Sequence, residues 1–102
     1  MKHKQTIACD ISTKVRRIVN ERDSCDGAPC CIVCGTSYEI EQAHFISRKK
    51  GGLGIPENLA CMCKKHHNEY DEKGKHKAHF ERYLRLIYPE WDKGKLVYEK
   101  YK

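Results

Sequence analysis

Residues 61 to 70 read CMCKKHHNEY, two cysteines and two adjacent histidines within seven positions. Thiols and imidazoles packed so densely point to metal binding, against the plainer reading of cysteines as small buried hydrophobes. Cys63 and His66 are separated by two residues, the spacing that lets both reach one tetrahedral ion. A matching half lies upstream in Cys31-Ile-Val-Cys34-Gly35, where the glycine lets backbone amides turn toward the sulfurs. Cys31, Cys34, Cys63 and His66 are therefore expected to hold one structural Zn2+. The stretch KKHHNEYDEKGK reads as a helix ending near Gly74, a residue free to take the left-handed conformation. Successive helical residues point about 100° apart, so His67 cannot face the ion that His66 faces. Asp71, four residues on, falls on nearly the same face as His67. The two are expected to converge on a second, divalent ion, and such ligands admit Mg2+, Mn2+, Ni2+ or Zn2+.

Outward from this stretch, the chain of 102 residues has room for one small domain with a marginal apolar core. Its seven cysteines are an odd number, and MKHKQTIACD lacks the apolar run of a secretory signal. No stretch approaches the roughly 18 apolar residues of a membrane span. A reducing, cytoplasmic setting is expected, with no membrane association, and there clustered cysteines read as a metal site before disulfides. The formal charge of +6 suits a polyanionic partner, nucleic acid first among them.

Along the chain, Ile11, Val15, Ile18 and Val19 share one helical face behind Ser12, predicting a helix near 13 to 22. Gly27 and Pro29 mark a loop. YEIEQAHFI alternates and predicts a strand from about 38 to 45. In ISRKKGGLGIPE the glycines and Pro56 exclude regular structure and predict a solvated, mobile, basic loop. NLACMC reads as a second strand. Phe80, Tyr83, Leu84 and Ile87 share one face of a later helix that Pro89 stops, and Trp91, Leu96 and Tyr98 would pack a charged tail loosely. Cys9, Cys25 and Cys30 offer no clear fourth ligand for another zinc and read as core or surface thiols. Cys30 competes with Cys31 as a ligand, although the spacing to Cys34 favours Cys31. Cys61 is read as a neighbour of the zinc.

The order of parts CIVCG, AHFISRKKGGLG and ENLACMCKKHHNEYD, with NERD upstream, resembles the HNH endonuclease family, specifically its small stand-alone phage and prophage members. The resemblance covers about residues 15 to 73; the C-terminal helix and YPEWD tail are similar to extensions seen in such proteins. It implies an α+β chain: a small ββα-metal (His-Me finger) core braced by the zinc knuckle pair, with flanking N- and C-terminal helices. That would be a single domain over 1–102, with its core at about 25–74 and a C-terminal helix and tail over 77–102. Carried over by position, His44 is the general base, Asn58 the central asparagine that orients the connection between the strands, and His67 the final, metal-binding histidine. Many members have an aspartate or histidine just before the base, where this chain has Ala43. The missing oxygen would come from Asp71, or less readily from Glu41, which shares a strand face with Ala43.

The activity implied is metal-dependent hydrolysis of DNA, by nicking or double-strand cleavage, leaving a 5′ phosphate and a 3′ hydroxyl. Arg48 is placed to grip a phosphate beside the cut, with Lys49 and Lys50 adjoining and Arg16, Arg17, Lys64 and Lys65 extending the track. These are phosphate contacts and imply weak sequence preference. Two other readings stand beside this one. The chain is a zinc-stabilised nucleic-acid binding module without catalysis, for which Ala43 speaks, or an accessory nuclease that acts only with phage terminase or packaging proteins.

Overall fold

The computed structural model describes residues 4–98. The order is α1 (Lys4–Cys9), α2 (Thr13–Arg22), β1 (Ser24–Cys25), β2 (Ala28–Pro29), β3 (Ile40–His44), β4 (Leu59–Cys63), α3 (Lys64–Lys73) and α4 (Lys77–Ile87). It is a small α+β chain with two antiparallel two-stranded sheets, β1 with β2 and β3 with β4. No described helix is long and apolar enough to cross a membrane.

α2 begins where the sequence places it because the Ser12 side chain accepts the Val15 amide at 3.1 Å. The β3 strand starts two residues later than expected. Glu39 takes a left-handed φ of 52°, and that kink bars extended pairing until Ile40. From there the ladder runs from Ile40 opposite Cys63 to His44 opposite Leu59. α3 follows β4 without a loop and ends at Gly74, whose φ of 67° fits glycine. α1 has no counterpart in the sequence reading; six residues without an apolar periodicity give no signal. It is held by the Gly54 amide, which donates to the Ala8 carbonyl at 3.0 Å.

The glycine-rich segment departs most from expectation. Arg48–Lys50 form a short 3-10 turn and are exposed, as a basic loop should be, but the glycines beyond them are buried. A side chain at Gly52 would lie 1.7 Å from the Ile46 carbonyl oxygen, and one at Gly54 would lie 2.1 Å from that of Asp10. Glycine is used here for close backbone approach rather than for mobility. The tail closes over this segment: Leu53 N–H donates to Leu96 O, and Tyr98 N–H to Gly51 O, both at 2.8 Å. The tail thus packs tightly, with Trp91 and Leu96 in the core. Its last residues, 99–102, lie outside the described range.

The main core joins β3, β4, α3 and α4. Phe45 stacks edge to face on Phe80 and Trp91, and Phe80 on Tyr70. A smaller cluster of Val19, Leu59 and Cys61 packs the sheet against α2. At the end of α2, Arg22 reaches the Pro56 and Leu59 carbonyls at 2.8 and 2.6 Å and pairs with Asp23 at 2.7 Å. Asp23 accepts the Cys61 amide at 2.8 Å and the Tyr83 hydroxyl. Residues 20–23, NERD, are thus a polar pillar that fixes α2 to β4 and α4.

Candidate metal centre and adjoining cleft

Cys31 and Cys34 come from a tight turn that Gly35 completes at φ 79°; its amide donates to Cys31 O at 2.8 Å. Cys63 ends β4, and His66 lies in the first turn of α3. Their ligand atoms lie within 4.8 Å of one another. Cys34 Sγ is 3.9 Å from Cys63 Sγ, and His66 Nδ1 is 3.2 Å from Cys63 Sγ and 3.6 Å from Cys31 Sγ. Tetrahedral zinc with Zn–S near 2.3 Å requires sulfurs about 3.8 Å apart, so the donor set fits that ion. Burial pushes the Cys31 thiol up, but hydrogen bonds from Cys63, Cys34, Val33 and His66 outweigh it and hold its pKa at about 6. Burial raises the Cys63 thiol. The site thus favours the thiolate at Cys31 and the thiol at Cys63, and a bound cation would replace the Cys63 proton. Among the described residues this Cys3His cluster can hold a structural metal such as zinc.

The other cysteines lie outside it. Cys30 is buried with its thiol 3.3 Å from the Ala28 carbonyl, leaving Cys31 as the ligand. Cys61 packs on the α2 side, where burial pushes its pKa up to about 12. That thiol is inert.

His44, His67 and Asp71 line one cleft of about 530 Å³ together with Ser47, Arg48 and Lys49. His44 Nε2 lies 2.9 Å from the Cys9 carbonyl oxygen. A carbonyl only accepts, so Nε2 carries the hydrogen and Nδ1 is the free lone pair of the neutral ring. Burial pulls the His44 pKa below its ordinary value, and the charges of Arg48 and His67 add to this. His67 Nε2 is 3.1 Å from Asp71 Oδ2, and His67 Nδ1 is 2.8 Å from Glu41 Oε1. A separation of 3.1 Å is that of an ion pair or hydrogen bond between His67 and Asp71, and it also equals the spacing of about 3 Å between adjacent ligands of an octahedral ion. Glu41 meets the other nitrogen. The ring is thus held between two carboxylates, one on each nitrogen.

Asn58 is fully buried and outside the cleft. Its Oδ1 accepts the Ile46 amide at 2.8 Å, and its Nδ2 donates to Leu53 O at 2.8 Å and Ile46 O at 3.2 Å. It ties the two ends of the glycine segment together. Ala43 is wholly buried opposite Ala60 and offers no ligand. Arg48 and Lys49 border the cleft, but Arg48 is engaged by the Asp10 carboxylate. Lys50 lines a neighbouring groove of about 340 Å³ that shares His44, Ser47 and Asp71 and is bordered by Lys77 and Lys93.

The sequence reading misses the Cys9 carbonyl, Asp10, Lys77 and Lys93. The first is a backbone atom with no letter of its own, and the rest lie outside the motifs. Neither a scan against protein-family models nor a search of curated proteins returns a match to this chain.

Proposed function

We propose that this chain is a metal-dependent DNA endonuclease of the HNH type, built on a ββα-metal core formed by β3, β4 and α3. The observation that carries the reading is one cleft lined by His44, with its Nδ1 lone pair free, and by the His67–Asp71 pair. His44 Nδ1 takes the proton of the attacking water. Arg48 and Lys49 hold the backbone phosphate beside it, with Arg48 exchanging the Asp10 carboxylate for a phosphate oxygen. Asn58 keeps the segment carrying these basic residues at a fixed height over the strands. A divalent cation held by His67 Nε2 and Asp71 would supply Lewis-acid relief for the charge that develops on the phosphate and leaving oxygen.

The test is conversion of supercoiled plasmid to nicked or linear DNA with added Mg2+ or Mn2+. Cleavage is expected, and His44→Ala should lower its rate by roughly 10² to 10⁴. Buried Ala43 favours a second reading, a zinc-stabilised nucleic-acid binding module or a packaging accessory silent without its partner. Folded, zinc-loaded protein that binds DNA without cutting it would select that reading.

A further inference from the structure

His66 turns Nδ1 toward the sulfurs of Cys31 and Cys63, so its Nε2 faces away from the cluster. What it faces is Glu69, one turn along α3, whose Oε1 stands 4.0 Å from Nε2. The same oxygen accepts the Nε2 hydrogen of His76 at 2.9 Å. The His76 ring lies edge to face against the His66 ring, with centroids 5.0 Å apart and planes at 86°. His76 reaches this position through a φ of 73°, a left-handed conformation uncommon outside glycine. Gly74 has already turned the chain at φ 67°, so the corner between α3 and α4 contains two left-handed residues. Such strain persists only where surrounding contacts impose it. The contacts here are those of the His76 side chain with Glu69 and His66.

We infer that Glu69 and His76 are positioning residues of the Cys3His site. Glu69 receives the Nε2 hydrogen of His66, and His76 holds that carboxylate in place, so the imidazole meets zinc through Nδ1 alone. With a metal on Nδ1 the ring would be polarised and Nε2–H a stronger donor, which would close the 4.0 Å gap to Glu69. Zinc binding is thereby fastened to the docking of α4. This holds whether or not the chain cuts DNA. His66, Glu69 and His76 also lie within 4.8 Å of one another, close enough to ligate a second ion, and zinc stoichiometry separates the two arrangements.

The experiment measures zinc affinity of the full chain by competition with a chelator, zinc stoichiometry, and the absorption of the Co2+-substituted protein. Glu69→Ala should weaken zinc binding by roughly 10- to 100-fold while the sulfur-to-cobalt bands persist. Glu69→Gln, which keeps an accepting oxygen, should recover part of that loss. His76→Gly relieves the left-handed φ, so folding is spared; it should weaken zinc in the same direction by a smaller factor. The double variant Glu69→Ala/His76→Gly should bind no more weakly than Glu69→Ala, because His76 acts through Glu69. Wild-type affinity in both single variants overturns the inference. So does a second zinc in the wild type that His76→Gly removes, since Glu69 and His76 would then be ligands.

Discussion

In the proposed role of proton acceptor His44 would work only as a neutral ring, and burial favours that form by lowering its pKa from the ordinary value. Cleavage should therefore fall only as pH drops through a value below about 6.5, and the rate at pH 6.5 should exceed half of its plateau. A pH–rate profile checks this, with an acid limb centred above 6.5 as the contrary result. The stability linkage has the same direction: the neutral ring's contribution is present above the ordinary value and lost as pH falls through the depressed one. In the proposed cation site, Asp71→Ala should weaken divalent-ion binding and cleavage more than Glu41→Gln, since there Asp71 would be the ligand beside His67 Nε2 and Glu41 would meet only the other nitrogen. Titration calorimetry with Mn2+ separates them. His67 and Asp71 were legible because four residues along one helix dictate a common face. The contact of Glu41 with His67 was not legible, because a strand side chain meets a helical histidine only through packing.

Helices were read most accurately where a cap and an apolar face agreed, as at Ser12 with Val15 and Val19. The glycine segment misled because glycine serves mobility and close approach with the same letter. Here Gly54 sits against the Asp10 carbonyl, so Gly54→Ala should destabilise the fold by about 1–3 kcal/mol through overpacking. It should also shift the Cys9 carbonyl from His44, so cleavage should fall even at temperatures where the variant stays folded. The NERD segment was recognisable as a phrase, yet nothing in four letters says that the Asp23 carboxylate is fully buried beneath Arg22 and Tyr83. Arg22→Ala leaves that charge without its partner and should cost about 3–5 kcal/mol in urea unfolding.

Across the whole molecule, the net charge of +6 was visible in composition, but its placement was not. Lys77 at the start of α4 and Lys93 in the tail join Lys50 along the groove beside His44. In His44→Ala protein, removing both by Lys77→Ala/Lys93→Ala should make the slope of log affinity for DNA against log salt shallower, by about 0.9 for each phosphate that is no longer neutralised. An unchanged slope would place the strand elsewhere. The Cys3His ligands also straddle the glycine segment, two from residues 31–34 and two from 63–66, while β3 and β4 pair across it over five residues. Peptide continuity between those halves is therefore not what keeps them together. Trypsin admitted at the exposed Arg48–Lys50 turn should yield pieces that separate on a denaturing gel yet elute as one particle, until a chelator parts them. Residues 1–50 and 51–102, made as separate polypeptides, should then assemble into a two-piece protein when mixed with zinc.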